Sequence, residues 1–206
     1  MLLLVFLLSC LAGGPVTSWP TFEPMLGELG VLGSTRNHSS DALTEAYNLG
    51  QGMVLAAGLP MGILYDVMGP SAVTALGGVC SGGGLALMAL SISARRFNAL
   101  LYCAYPLAVA GGGLVTYSLL GFLWLFPAQQ SLVGSLNTAS FAISDALALV
   151  GVWLHDAYGV SLPAFFLGLA AVASAAASAA FVVTPSRAEN RLHFEIAHGL
   201  RGGAGV

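Results

Sequence analysis

Ser161–Val183 reads SLPAFFLGLAAVASAAASAAFVV, 23 residues without one charged side chain. A bilayer's hydrocarbon core is about 30 Å thick and takes roughly 20 apolar residues wound as a helix, so this stretch is long enough to cross one. It is typical of its chain. Of 206 residues, 57% are hydrophobic and 7% charged, against about 25% charged in a soluble domain. Small domains expose much surface for their volume, and a water-soluble fold of this composition would lack the polar residues to cover its outside. The composition therefore predicts an all-α membrane protein, with the lipid bilayer as its solvent.

Working outward from that stretch, the same reading gives five more spans: about Leu132–Leu154, Ala99–Phe126, Ser71–Ile92, Leu43–Leu64 and Leu2–Leu26. The first has a second reading, because Met1–Ala12 is a short apolar run followed by small residues, as in a secretory leader. It lacks the leader's basic start, and apolar character resumes through Val16, Trp19, Phe22 and Met25, which favours a membrane helix. The six spans make one bundle over residues 1–183. Residues 184–206 form a polar tail, expected on the cytoplasmic side, whose glycine-rich end from Gly199 to Val206 is expected to be disordered. The longest internal loop holds Asn37-His38-Ser39, an N-glycosylation acceptor if it faces the lumen. Arginine placement does not orient the bundle: Arg36, Arg95 and Arg96 fall on one side and Arg187, Arg191 and Arg201 on the other.

Several function classes are excluded by what the chain carries. All six basic residues are Arg and none forms a run, so there is no nucleic-acid footprint. Cys10, Cys80 and Cys103 lie in apolar stretches without the Cys or His spacing of a metal site, and read as small buried hydrophobes. The four His, at positions 38, 155, 193 and 198, lie in loops or the tail, with no spacing that suggests a Ser-His-Asp set. The glycine-rich stretches lack the Lys and the preceding strand of a phosphate loop. No catalytic residue, metal or cofactor is expected, and the chain is not read as an enzyme.

Glycine clusters inside the spans, at Gly77-Gly78, Gly82-Gly83-Gly84 and Gly111-Gly112-Gly113. In lipid, glycines let helix backbones approach closely, and the Gly78 to Gly82 spacing makes a flat packing face. A second regularity joins distant loops. Asp66-Val67-Met68-Gly69-Pro70-Ser71 and Asp156-Ala157-Tyr158-Gly159-Val160-Ser161 both read Asp-x-x-Gly-x-Ser. Each is expected in a tight turn, with Gly supplying the unusual backbone angles and the carboxylate holding amides of the next helix. Three spans separate the turns, so they fall on opposite sides of the membrane, the pattern of two inverted three-helix repeats.

Polar side chains inside spans are costly and are the candidates for function. Glu45, Asn48 and Gln51 share one stripe of the second span, Glu45 near its mouth and Gln51 deeper. Asn137, Ser140 and Ser144 fall at i, i+3 and i+7 on the fifth, ahead of Asp145, and either line a cavity or bond another helix. On the first span Thr17, Ser18 and Trp19 lead into Pro20, whose missing donor tends to kink a helix and bare its carbonyls; Trp19 reads equally as an interface anchor. Tyr117, with Thr116, follows the triple glycine. The candidate pocket residues are thus Thr17, Ser18, Trp19, Gln51, Tyr117, Asn137 and Asp145.

Gly62-Ile63-Leu64-Tyr65-Asp66-Val67-Met68-Gly69 resembles the Gly-x-Leu-x-Asp-x-x-Gly loop signature between helices two and three of the major facilitator superfamily. Within it the chain is most similar to the amino-acid-transporter branch called solute carrier family 43. Ser18-Trp19-Pro20, Pro24-Met25-Leu26, Leu59-Pro60-Met61-Gly62, Leu125-Phe126-Pro127 and Leu154-His155-Asp156-Ala157-Tyr158-Gly159-Val160 carry that likeness. The resemblance implies half of a facilitator fold, with Gly62, Asp66 and Gly69 in a cytoplasmic loop. It also implies transport of an amino acid or similar small organic solute by alternating access. The partner would be a second six-helix half or another copy of the chain. Val67 and Ser71 stand where the signature usually has basic residues. The other reading is a non-transporting multi-helix membrane subunit or a truncated gene product.

Overall fold

The structure is a computed structural model and describes residues 6–7, 10–11, 19–34, 40–120 and 126–197, with the backbone alone at 95, 96, 127, 141, 144, 145 and 197. Among them there is no strand. Helix α1 spans Trp19–Glu28, α2 Asp41–Met68, α3 Pro70–Ser93, α4 Leu101–Ser118, α5 Gln130–Tyr158, α6 Leu162–Val183 and α7 Arg187–Ala197, with short 3-10 turns at Val31–Gly33, Arg95–Leu100 and Pro127–Gln129. Among the described residues, four stretches are long and apolar enough to cross a membrane: Asp41–Met68, Pro70–Ser93, Phe97–Ser118 and Leu162–Val183.

The helix ends follow from local chemistry. Ser40 caps α2 by accepting from the Leu43 amide at 3.1 Å. Gly69 ends α2 and precedes α3 in one residue, at φ 85° and ψ 164°, and Pro70 opens α3 in the first turn, where no amide donor is needed. Gly159 closes α5 in the left-handed region, its amide donating to the carbonyls of His155 and Leu154. Both glycines thus do what the repeated motif predicts, but its carboxylates do not. Asp66 and Asp156 are exposed in the last turns of α2 and α5, and neither takes a hydrogen bond from the helix that follows. A side chain in a helix's last turn points back toward that helix's N-terminus, away from the next one.

Two other expectations shift. The span expected at 99–126 ends as α-helix at Ser118, where the Ser118 hydroxyl donates to the Val115 carbonyl, and Pro127 starts a new turn. Residues 121–125 lie outside the described ones. Pro20 falls in the first turn of α1 as described, where a missing amide costs nothing.

Helix α3 sits between α4 and α6, and its small residues divide by face. Gly77, Ser81 and Gly84 lie against α4: a Cβ on Gly77 would be 2.8 Å from the Gly111 carbonyl oxygen, one on Gly84 would overlap the Ala108 backbone, and one on Gly111 would overlap the Ser81 amide. Gly78 and Gly82, one position on, lie against Ala177 and Ser174 of α6. Backbone-to-backbone approach of this kind is how helices gain dispersion contact where lipid removes the hydrophobic driving force between them.

Among the described residues, two of the three buried apolar clusters lie at opposite ends of this assembly. One gathers Phe22, Leu26, Val31, Ile92, Leu101, Ala148, Leu162 and Phe166. The other gathers Val115, Leu119, Val133, Ala177 and Ala180, beside a 2.6 Å hydrogen bond between Thr74 and Ser118. Successive helices α2 to α6 therefore run from one end to the other and back. On the outside of α2, Leu55 and Leu59 are 85% and 77% exposed, alongside Leu49, Met53, Ile63 and Val67. Water would not tolerate so large an apolar face, whereas hydrocarbon solvates it.

Candidate functional site

The polar stripe of α2 meets α4. Gln51 donates to the Tyr105 hydroxyl at 3.2 Å, and the Tyr102 hydroxyl donates to Glu45 at 3.4 Å. Tyr105 is held flat against Gly50, where a Cβ would overlap its ring, and its other neighbours are Trp19, with centroids 4.5 Å apart, and Tyr47, at 6.2 Å. Trp19 and Tyr105 are 3% and 2% exposed. Three helices, α1, α2 and α4, thus converge on one aromatic cluster. It positions Gln51, and the Tyr105 ring fills the space between Gln51 and Trp19.

Open space lies at the other end. Thr116, Tyr117 and Leu120 of the α4 terminus face Gly134, Asn137 and Thr138 of α5 across a cleft of about 320 Å³. Thr116 and Thr138 each donate to the carbonyl four residues back, Gly112 at 3.0 Å and Gly134 at 3.1 Å, so their hydroxyls keep acceptor capacity toward the cleft. The Tyr117 hydroxyl and Asn137 amide make no hydrogen bond among the described residues. Every described lining side chain is uncharged, and the cleft offers donors and acceptors to a polar group without attracting an ion.

The structure therefore brings Tyr117 and Asn137 together and places Trp19 near Gln51, but keeps the two pairs in separate clusters. Thr17, Ser18 and Asn37 lie outside the described residues, and so does the Asp145 side chain, although its backbone continues α5. Ser140 is buried and donates to the Asn137 carbonyl of its own helix at 2.6 Å, so it is not a simple cavity-lining hydroxyl. Gly62 is exposed on α2, Asp66 is exposed one turn on, and Gly69 is buried at the turn. Tyr47, Tyr102 and Tyr105 were not legible as site residues. Tyrosines near helix ends read as interface anchors, and nothing in the spacing of Tyr102 and Tyr105, three residues apart against six for Glu45 and Gln51, points to their pairing.

The chain after α6 adds a further group beside Asp66. Asn190 of α7 donates to the Tyr65 hydroxyl at 3.3 Å. Helix α7 is started by a capping box: the Glu189 carboxylate accepts from the Ser186 amide at 2.7 Å, and Ser186 Oγ accepts from the Glu189 amide at 3.4 Å. These hydrogen bonds, first that from the Ser186 backbone, hold the Glu189 carboxyl below its usual range. A helix inside the polar tail was not expected from its sequence.

No family model matches the chain, and no solved structure does. Among curated proteins it is similar to the large neutral amino acids transporter small subunit 3 of Homo sapiens, 29% identical over 126 residues, which are 61% of this chain and 22% of that protein. The chain thus spans less than a quarter of the relative's length.

Proposed function

We propose that this chain is one wall of a multi-pass membrane transporter for a small organic solute of the neutral amino acid type. The observation that carries the reading is the similarity over 126 residues to a protein named as a large neutral amino acids transporter. The helix arrangement supports it: α2 to α6 run alternately between two ends, and the first span expected at about Leu2–Leu26, of which α1 is the described later part, would complete six helices in two inverted sets of three, half of a facilitator fold. The Asp66 turn and the tail with α7 then face the cytoplasm, and Asn37 faces outward as a glycosylation acceptor. Transport would proceed by alternating access, this bundle rocking against a second bundle around a shared site. The cleft between Tyr117 and Asn137 is this wall's contribution, with Asp145, Thr17 and Ser18 further candidates along the path.

The test uses the purified chain in lipid nanodiscs with leucine as ligand. One wall should bind weakly, with Kd on the order of millimolar. Asn137→Ala should weaken binding roughly five-fold or more, the scale of a lost hydrogen bond that leaves a buried partner unmet. Unchanged binding in Asn137→Ala and Tyr117→Phe would remove the cleft from the account. Uptake by the lone monomer in liposomes would contradict the half-transporter reading. A second reading, a non-transporting subunit, is favoured by the Gln51 to Tyr105 bond, which uses a polar group in a span to join helices.

A further inference from the structure

Helix α7 begins four residues beyond the end of α6 and crosses the α2–α3 turn. Two contacts hold it there. The Arg187 backbone lies against Gly69, so closely that a Cβ on Gly69 would stand 2.5 Å from Arg187 Cβ and 2.8 Å from its Cα. One turn on, Asn190 bonds Tyr65. The junction is not sealed, however. A cavity of about 410 Å³ remains, lined by Tyr65, Asp66, Arg187, Asn190, Arg191 and Phe194.

The groups around this space are incompletely matched. Asp66 and Arg187 both face it and no ion pair joins them. Arg191 is held by Glu195 at 3.0 Å instead. The Asn190 side-chain oxygen is buried and has no donor, a state that costs free energy until a donor arrives. The turn itself, Val67-Met68-Gly69-Pro70-Ser71, carries no base that could supply one or pair with Asp66. An Arg presents five N–H donors in a fixed fork, enough for a guanidinium entering the space to reach both oxygens.

We propose that α7 is a strap over the α2–α3 turn that closes when Arg187 moves onto Asp66. The tail thereby supplies the positive charge that the turn lacks. Closure fills the cavity, pairs the two charges and brings donors to Asn190; opening leaves the turn held by the Gly69 and Tyr65 contacts alone. That strap movement gates a solute path rests on the function proposed above, while the closure itself does not.

Hydrogen exchange of the α7 amides, measured on the full chain in nanodiscs, tests the closure without any transport assay. Asp66→Arg and Arg187→Asp should each speed exchange across 187–197 by up to about five-fold, the scale of one exposed ion pair. The double variant, with the charges exchanged, should return to within about two-fold of the native rate. Arg187→Gln, which removes the charge without reversing it and leaves the Asn190 to Tyr65 bond in place, should also speed exchange and serves if a charge reversal prevents folding. Single variants that exchange at the native rate, or a double variant no slower than the singles, would overturn the strap.

Discussion

Replacing Gly84 with leucine is expected to break the α3–α4 pair and with it the folded bundle. A Cβ at this position would overlap the backbone amide and Cα of Ala108, and backbone cannot swing aside as a side chain end can. The helices must separate, and the Gly77 and Gly111 contacts along the same seam separate with them. Overpacking of a tight core costs about 1–3 kcal/mol and sometimes more. For a chain of this size that is a fall of about 2–12 °C in the unfolding midpoint. Gly83 is the internal control, since a Cβ there meets nothing within 4 Å and leucine at that point faces outward. Thermal unfolding in detergent should separate Gly84→Leu from Gly83→Leu clearly. Equal midpoints would mean that the α3–α4 seam is not formed by close backbone approach.

The second large effect is expected at Gly69. Its φ of 85° and ψ of 164° lie in a region open essentially to glycine alone, and forcing another residue there costs about 1–3 kcal/mol. Alanine at Gly69 also drives a Cβ into Arg187, adding displacement of α7 to backbone strain. Gly159 occupies the corresponding place in the other motif, but at φ 67° and ψ 23°, in the left-handed helical region, with nothing near a Cβ. Alanine there should cost about 1–2 kcal/mol. Gly69→Ala should therefore lower the midpoint more than Gly159→Ala and free α7 as well. Should the two prove equal, the docking of α7 on the turn contributes nothing.

Much of this architecture is legible in the residues because lipid imposes a simple rule of length and charge. The spans expected at 43–64, 71–92 and 161–183 lie within or within one residue of helices at Asp41–Met68, Pro70–Ser93 and Leu162–Val183. The ends are harder. After Ser118 the α-helix α4 gives way to a 3-10 turn, which no hydropathy count registers, and α5 extends through the polar stretch from Gln130 that the apolar rule discounts. Glycine spacing indicates that α3 has close-packing faces. It does not say that Gly84 meets Ala108 while Gly82 meets Ser174, because a face names no partner.

The candidate site was half legible for a related reason. Asn137 and Tyr117 stand out as polar groups in apolar runs, and they do share a cleft. Trp19 and Gln51 stand out equally, yet Tyr105 fills the space between them. Sequence marks where polarity is, whereas the packing of a large ring decides whether room is left. The Asp66 carboxylate illustrates the same limit, since its role depends on α7, 121 positions away at Arg187.

The central claim is that the long uncharged helices lie in hydrocarbon, and single-cysteine labelling in lipid vesicles tests it most directly. With Cys10, Cys80 and Cys103 replaced by alanine, cysteines at Leu55, Leu59, Asp66 and Asp156 are challenged with a charged, water-borne maleimide. Immersion requires that Leu55→Cys and Leu59→Cys resist the reagent despite their exposure on α2, and that Asp66→Cys and Asp156→Cys react from opposite sides of the membrane. Rapid labelling of Leu55→Cys and Leu59→Cys, at the rate of Asp66→Cys, would place α2 in water and contradict the account.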